Sequence, residues 1–361
     1  MRSRGYILAG CDTVIVNEKR IEASISEGKQ YRYAKLTMGN LEPGIALHIG
    51  MSERFYSGRT FRYNELVKSF AKIIAYYENN GFPFAAVGLD SVEIDNDKIS
   101  AKIKVNKGKL FRIDSVKLEG DAKVNKKFML KYLGMKEGMP FSEIALSSVS
   151  GKLRQLPFVT EKKSPEMRFG EIRNKLLLFV DKKNASQFDG IVGLLPDAIT
   201  KKTIITGDVK LKVVNGIFRN GETFDMQWRR LQSQTQDFSG RVIYPYLFGT
   251  PVGTDYVLKI YRRDTSFIDI NNNIGIQYYF SGLSNLKVFY KQRNSNIIST
   301  KGLESITVLP DYADIETQSY GFGVFLEKLN YRFNPRKGIS LNINAQTGNR
   351  NIKKNARVNP T

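Results

Sequence analysis

The sequence predicts α+β repeats followed by an antiparallel β-barrel of the membrane-spanning type, incomplete in this chain. Residues 1–184 repeat a pattern of strands and helices, and residues 185–361 alternate between apolar and polar residues with no helical spacing. No apolar run approaches the ~18 residues that a transmembrane helix needs, so strands are the only membrane-spanning option. The single Cys and single His exclude an internal disulfide framework and multi-His or Cys-rich metal sites.

The net charge of +21 is spread along the chain. Residues 1–186 hold 33 basic and 21 acidic residues, and residues 187–361 hold 23 and 14. Nucleic-acid binding requires basic residues clustered on one element, whereas the clusters here are pairs such as Lys126-Lys127 and Lys182-Lys183. The pattern favours a solvated surface over a nucleic-acid groove, and a surface near anionic lipid headgroups is an intermediate interpretation.

The first half repeats with a period of just under 80 residues. Tyr6, Phe82 and Phe158 are 76 residues apart at each step, and Gly28 and Gly108 are 80 residues apart. This period is too long for the common solenoid repeats and fits a small domain.

The last repeat shows what one unit contains. Alternation predicts a strand at 111–118, and helical spacing predicts helices at 125–133 and from 141 to Pro157. Two more strands are predicted at 158–169 and 174–180, so the order is β-α-α-β-β.

The middle repeat departs from this pattern. The stretch from 41 to 60 contains Pro43 and three glycines, so its first helix should be short or distorted. His48 lies in this stretch, and we expect it to be a surface or packing residue in an irregular loop.

The second half contains about nine alternating segments. The predicted strands are 188–195, 206–215, 222–231, 237–247, 255–262, 267–280, 285–291, 319–328 and 338–346. Segments of ~10 residues, apolar on one face and polar on the other, are typical of transmembrane β-barrels. A soluble β-sandwich gives a similar pattern, but the length of these strands and the Tyr and Phe near their ends favour the barrel.

The tandem β-α-α-β-β order resembles the POTRA domains of the BamA/TamA family of outer-membrane assembly factors. Three turns, at 215–222, 244–249 and 333–338, resemble turns of the family barrel and come in the family's order. The resemblance implies the C-terminal part of a POTRA domain at 1–30, POTRA domains at 31–107 and 108–184, and the first half of an outer-membrane β-barrel at 185–361. The family barrel has sixteen strands and a plug-loop Arg-Gly-Phe/Tyr motif, which is not found in residues 185–361, so we expect this chain to be a fragment of a longer protein.

Residues 8–11 also match a lipoprotein processing box. Only about three residues separate Arg4 from that box, whereas an export signal needs ~7–15 apolar residues. We therefore expect these residues to belong to a strand of the first repeat.

The chain shows no catalytic constellation. It has no Gly-x-Ser-x-Gly elbow, no Walker-type phosphate loop and no metal-ligand cluster, so neither an enzyme nor a cofactor is predicted. The resemblance implies an assembly, insertion or translocation factor of the bacterial outer membrane, with its POTRA domains in the periplasm. The implied partners are unfolded outer-membrane proteins, periplasmic chaperones or accessory lipoproteins, and outer-membrane lipid, with no nucleic acid.

Two kinds of strand edge are candidate binding sites. Exposed edge strands recruit extended chains by backbone pairing, so we expect client or partner binding at 84–94 and 158–169. The family resemblance also assigns a lateral seam to the first barrel strand, in which two glycines weaken pairing. The candidate residues are Phe84, Ala86, Val87, Phe158 and Val159 for the edges, and Phe188, Gly190, Ile191 and Gly193 for the seam.

Three other functions remain open on the sequence. A two-partner secretion pore would combine the same domains to export a soluble client. A larger passenger-bearing protein, such as a phospholipase, would carry its catalytic part upstream. A soluble binding module is the third alternative.

Overall fold

The computed structural model describes residues 2–17, 20–196, 201–232, 235–301, 314–330 and 335–353. Its contacts form two compact units, one of residues 1–114, 138–146 and 171–174, and one of residues 115–137, 147–170 and 175–361. The domain boundaries drawn from the sequence stay predictions. Phe333 and Asn334 of the third turn motif lie outside the described residues.

The first two strands, β1 (Gly10–Asn17) and β2 (Arg20–Ser26), form an antiparallel two-stranded sheet. Cys11 lies in β1 and is exposed. Two residues of the processing-box motif therefore belong to a strand, as expected.

Residues 32–106 form a three-stranded sheet with helices. The elements are β3 (Arg32–Thr37), α1 (Pro43–Ile49), α2 (Glu53–Tyr56), α3 (Tyr63–Glu78), β4 (Ala86–Asp95) and β5 (Lys98–Asn106). β5 lies between β3, to which it is parallel, and β4, to which it is antiparallel. Leu36, Ile73 and Ile103 are fully buried between the sheet and the helices.

The first helix of this repeat is broken, as its Pro and Gly residues predict. α1 has seven residues and ends at Gly50, whose φ of 78° is left-handed, and α2 has only four. The expectation that His48 lies in an irregular loop is wrong. His48 is in the last turn of α1, where its ring lies 5.8 Å from that of Tyr76.

A Gly-Asn pair after β3 completes the pairing of the central strand. Asn40 donates from Nδ2 to the carbonyl of Val105 and accepts from the Val105 N–H with Oδ1, both at 2.7 Å. Gly39 has a φ of 55°, and a Cβ there would lie 1.9 Å from the Ile103 carbonyl oxygen. The side-chain amide thus replaces a strand neighbour beyond the end of β3.

Residues 115–182 repeat the arrangement. The elements are β6 (Ser115–Glu119), α4 (Lys126–Leu133), α5 (Glu143–Gln155), β7 (Val159–Arg168) and β8 (Lys175–Lys182), in sheet order β6-β8-β7. Asn125 caps α4 by accepting from the Lys127 N–H, and left-handed Gly134 ends it. None of the described helices is long and apolar enough to cross a membrane.

The remaining strands form one nine-stranded antiparallel sheet in chain order from β9 to β17. They are β9 (Gln187–Pro196), β10 (Thr203–Val214), β11 (Thr223–Gln232), β12 (Thr235–Tyr244), β13 (Val252–Arg263), β14 (Phe267–Ser281), β15 (Ser284–Ile297), β16 (Ile315–Leu329) and β17 (Gly338–Ile352). The predicted fold class, β-α-α-β-β repeats followed by an antiparallel sheet of barrel type, is confirmed.

The two faces of this sheet differ in chemistry. One face, which we call the outer face, exposes large apolar side chains such as Ile276, Val288 and Phe322, which are neighbours in the register. The opposite inner face carries charged and amide side chains, many of them buried. A cavity of about 570 Å³ is lined by inner-face residues of strands β10 to β17, so the inner face is concave.

We expect Asn40→Ala to destabilise the sheet of β3, β4 and β5. The change leaves the Val105 N–H and carbonyl without their partner, and an unsatisfied buried backbone group costs about 1–3 kcal/mol. Urea unfolding of the purified variant measures the loss.

Asn80→Ala is the matched control. Asn80 donates an exposed hydrogen bond to the Tyr76 carbonyl at the end of α3, so its loss should change stability by less than about 0.5 kcal/mol. Equal losses in the two variants would show that Asn40 has no special role.

Candidate functional site

The first predicted edge lies on β4, an outer strand of its sheet. Phe84 precedes β4 in a turn, is largely exposed, and places its ring 5.4 Å from that of Phe111. Ala86 opens β4, and Val87 pairs with Val105. These residues therefore lie at a sheet edge, while their binding role stays a prediction.

The second predicted edge lies on β7, which is also an outer strand. Phe158 comes directly before β7 and Val159 opens it, but both side chains are buried. The Phe158 carbonyl accepts from the Lys183 N–H at 3.0 Å. A partner at this edge would therefore meet the strand backbone rather than these two side chains.

The predicted seam strand is β9, one of the two outer strands of the nine-stranded sheet as described. All ten of its residues are exposed, with Phe188 and Gly190 on the outer face and Ile191 and Gly193 on the inner face. The fold brings the four predicted residues together on one strand.

The two seam glycines are not required by packing. A Cβ at Gly190 or Gly193 would meet its nearest neighbour at 3.4 or 3.6 Å, which is ordinary contact. In β16, by contrast, a Cβ at Gly321 would lie 2.2 Å from the Phe289 ring. β9 therefore carries two residues of low strand propensity with no steric reason for them.

Buried ion pairs line the inner face. Asp255 on β13 is only 2% exposed and accepts from Arg241 on β12 through both oxygens, at 3.1 and 3.0 Å. Lys287 on β15 reaches the same carboxylate at 2.7 Å. Asp269 pairs with Arg293 in the same way, at 2.7 Å. A buried carboxylate needs such partners, because desolvation alone would penalise its charge.

The Lys287 side chain crosses the whole width of β14 to reach Asp255. It passes over Gly275, where a Cβ would lie 2.3 Å from the Lys287 Cε. The sequence analysis missed this link, because alternation shows which face a residue occupies but not which neighbour its side chain crosses.

A buried carboxylate organises the turn between β10 and β11. Glu222 is 0% exposed, and its Oε1 accepts from the backbone N–H groups of Ile217, Phe218 and Arg219 at 2.9, 2.8 and 3.3 Å. Its Oε2 accepts from the Asn220 N–H at 2.8 Å. Burial alone would raise the pKa of Glu222, but these donors outweigh it and hold the pKa below its ordinary value.

The same turn receives an aromatic ring from α4. A Cβ at Gly221, whose φ is +74°, would lie 2.5 Å from the Phe128 ring. Phe128 also contacts the rings of Phe158 and Tyr246, at 6.1 and 5.8 Å between centroids. We name Phe128, Gly221, Glu222 and Tyr246 the foot cluster. The turn motif at 215–222 was the sequence signal for it, although the role of Glu222 was missed.

Among the described residues, no three His, Cys, Asp or Glu side chains are grouped to hold a metal ion. The carboxylates of Asp255, Asp269 and Glu316 instead pair with arginine or lysine, and that of Glu222 accepts from backbone N–H groups.

No protein-family model and no curated protein matches the sequence. Similar solved structures include BamA from Haemophilus ducreyi lacking POTRA domains 1–3, with 14% identity over 88% of this chain and a TM-score of 0.47. CdiB from Acinetobacter baumannii is similar with 12% identity over 88% of this chain and a TM-score of 0.47. POTRA domains 3–5 of BamA from Haemophilus influenzae cover 50% of this chain with 16% identity and a TM-score of 0.35.

The chain spans 64% of the length of the Haemophilus ducreyi BamA structure, 62% of the Acinetobacter baumannii CdiB structure and 75% of the POTRA 3–5 structure. Activity, substrates and partners of the whole protein are therefore proposals.

We expect Glu222→Gln to destabilise the folded chain at neutral pH by about 1.5–3 kcal/mol, the usual value of hydrogen bonds to a charged group. Because the folded pKa of Glu222 lies below its unfolded value, its stabilisation is present above the unfolded pKa of about 4.3 and is lost as pH falls through the folded pKa. The gap between wild type and variant should therefore narrow on acidification.

Urea unfolding of both proteins between pH 7 and pH 3 measures this gap. Glu171→Gln removes the same charge from an exposed loop and should leave stability nearly unchanged throughout. A Glu222→Gln loss that does not depend on pH would contradict the role of the carboxylate charge.

Proposed function

We propose that this chain is part of a BamA/TamA-type outer-membrane assembly factor, which inserts or translocates client proteins without catalysing a covalent reaction. The inverted sheet of β9 to β17 carries the proposal, because large apolar side chains of its outer face are exposed, whereas the carboxylates of Asp255 and Asp269 on its inner face are buried. Soluble proteins have the opposite arrangement.

Lipid is the solvent that suits such a sheet. The outer face presents Ile274, Ile276 and Tyr278 on β14, opposite Tyr290, Val288 and Leu286 on β15, all pointing away from the ion pairs. In water this continuous apolar surface would favour aggregation. In a bilayer it would contact the acyl chains of the lipids instead of water. We therefore place the sheet in the bacterial outer membrane, with residues 1–184 in the periplasm.

Open strand edges supply the client-binding step. Among the described strands, β9 pairs only with β10, and its two glycines lower the cost of separating or exchanging that partner. β4 and β7 are outer strands of the two three-stranded sheets and present further edges to a client. An unfolded client strand can pair with each edge by backbone hydrogen bonds, which recognise any sequence of suitable conformation.

The stability cost of a charged side chain on the outer face should show whether that face contacts lipid or water. Val288→Arg should destabilise the chain refolded in lipid vesicles by about 2–4 kcal/mol, as arginine does at the bilayer midplane. Asn349 is also on the outer face but pairs with Gln318 beyond the apolar residues, so Asn349→Arg should cost only about 0–1 kcal/mol. Guanidinium unfolding in vesicles measures both, and equal costs would contradict a membrane position.

Cross-linking tests the client-binding edge. In a Cys11→Ser background, Val192→Cys on β9 and Val288→Cys on β15 place thiols of similar exposure, 61% and 65%, on the outer face. A paired client strand lies ~4.8 Å from β9 and much farther from β15. We expect disulfides between Val192→Cys and a cysteine-bearing unfolded outer-membrane barrel protein, and few from Val288→Cys.

The same experiment tests the periplasmic edge. Val92→Cys lies on the outer strand β4, and Lys102→Cys lies on the central strand β5. Equal yields at edge and central positions would contradict β-augmentation. A secretion role would give a different set of results. Cross-linking would be normal, client folding in vesicles would not be accelerated, and a soluble client would be transferred across the vesicle membrane.

A further inference from the structure

The turn between β10 and β11 holds two apolar side chains in an exposed position. Ile217 and Phe218 expose 59% and 54% of their surface. Their backbone N–H groups both donate to the buried Glu222 carboxylate, so the turn that carries them is fixed from within. We call Ile217 and Phe218 the anchor tip.

The anchor tip lies on the outer side of the sheet. A Cβ at Gly216 would lie 2.6 Å from the Val213 Cγ1, and the register places Val213 on the outer face. The Phe218 ring lies 5.6 Å from the ring of Tyr244, which the register also places on the outer face. Asn220 donates from Nδ2 to the Tyr244 hydroxyl at 2.6 Å. The tip therefore continues the apolar outer face past the ends of β10 and β12.

The backbone of this turn needs no water to satisfy its donors. The N–H groups of residues 217–220 all donate to the Glu222 carboxylate, and the Gly221 N–H donates to the Asn215 Oδ1 at 2.9 Å. In a turn exposed to water, solvent could accept these bonds. At the boundary between lipid headgroups and acyl chains, where water is scarce, an unsatisfied N–H group is costly. The carboxylate therefore makes the turn suitable for immersion in that boundary.

A basic residue comes directly after the anchor tip. Arg219 is exposed, and a long arginine side chain can extend to a lipid phosphate while neighbouring apolar side chains stay among the acyl chains. Phenylalanine and aliphatic side chains beside basic ones are the usual composition of segments that lie in the membrane interface. This combination, continuous with the apolar outer face, favours a lipid leaflet over a protein as the partner of the tip.

We propose that the anchor tip inserts into the periplasmic leaflet of the bilayer, at the boundary between headgroups and acyl chains. This inference rests on the proposed membrane position of the sheet. Because Gly221 of the same turn packs against the Phe128 ring, the inserted turn would also hold α4 close to the leaflet.

The single tryptophan of the chain allows a site-specific test by fluorescence. Trp228 lies on the outer face, so the wild-type protein reports the position of the sheet. Trp228→Phe/Phe218→Trp reports the anchor tip. Trp228→Phe/Tyr63→Trp is the matched control, because Tyr63 is 57% exposed at the start of α3 and lies outside the turn.

Each full chain is refolded into phosphatidylcholine vesicles whose acyl chains carry bromine near the headgroup or near the chain end. Bromine quenches tryptophan at short range, so the loss of intensity measures depth. The change in gel mobility on heating checks that each variant has folded. Trp228→Phe/Ile217→Trp serves as a second reporter of the tip if the Phe218 variant does not fold.

We expect the tip tryptophan to show blue-shifted emission and to be quenched more by bromine near the headgroup than by bromine near the chain end. The Tyr63→Trp control should show neither effect. Equal quenching of tip and control, or none at the tip, would overturn the proposal. A blue shift that arises only when an unfolded client protein is added would overturn the lipid assignment in favour of a protein partner.

Wild-type Trp228 separates this inference from the proposed function. Lipid quenching of Trp228 with an unquenched tip would remove the anchor and leave the sheet in the membrane. An unquenched Trp228 would remove the membrane position itself, on which both proposals depend. Client cross-linking at Val192→Cys reads out the assembly role independently of the tip.

Discussion

The two-residue period of a paired β-strand is the constraint on which the second half of this molecule depends. Each strand from β9 to β17 pairs with its sequence neighbour in a continuous antiparallel register. Every second side chain therefore points to the same face, and a slip of one residue would exchange the faces. Because large apolar residues dominate the outer positions while Asp255 and Asp269 occupy inner ones, the register decides that these carboxylates are buried and that the apolar surface is exposed.

Burying charge requires partners, and the sheet supplies them across strands. The Asp255 carboxylate draws on Arg241 from the adjacent strand and on Lys287 from two strands away, and the latter contact depends on the absence of a side chain at Gly275. These links stabilise the register further, because a shifted strand would leave a buried carboxylate unpaired. The seam strand β9 lies at the edge of this arrangement, with ordinary clearance around its glycines.

The sequence predicts most of the architecture because its signals are local periodicities. The helix end at Gly134, the broken helix in the stretch from 41 to 60 and the nine strands follow from spacing and turn residues. β15 shows where such signals stop. The sequence predicts that β15 ends at Lys291, but the strand continues to Ile297. The prediction stopped early because the outer-face residues Gln292, Asn294 and Asn296 are polar, so this part of the strand has no apolar–polar alternation.

Contacts between distant segments could not be predicted in the same way. The Gly39-Asn40 pair recurs as Gly120-Asp121, where a Cβ at Gly120 would lie 2.3 Å from the Val180 carbonyl and Asp121 accepts from Lys182. The two Gly-Asx pairs lie 81 residues apart and are visible in the sequence as a repeat. Their hydrogen bonds to the backbone of the central strand become apparent only in the folded structure. For the candidate site, alternation placed the seam residues correctly on one strand, whereas it could not reveal that Phe158 and Val159 are buried at their edge.

The foot cluster links α4 of the last repeat to the turn between β10 and β11. Glu222 binds four backbone N–H groups most strongly while it is ionised, and the turn that it holds includes Gly221, against which the Phe128 ring packs. The pKa of Glu222 lies below its ordinary value, so the carboxylate stays ionised further into acid than an ordinary glutamate. Because Phe128 belongs to α4 and Gly221 to the sheet, a change in the turn would move the helix contact as well. The carboxylate therefore couples the last β-α-α-β-β repeat to the end of the sheet where β9 begins.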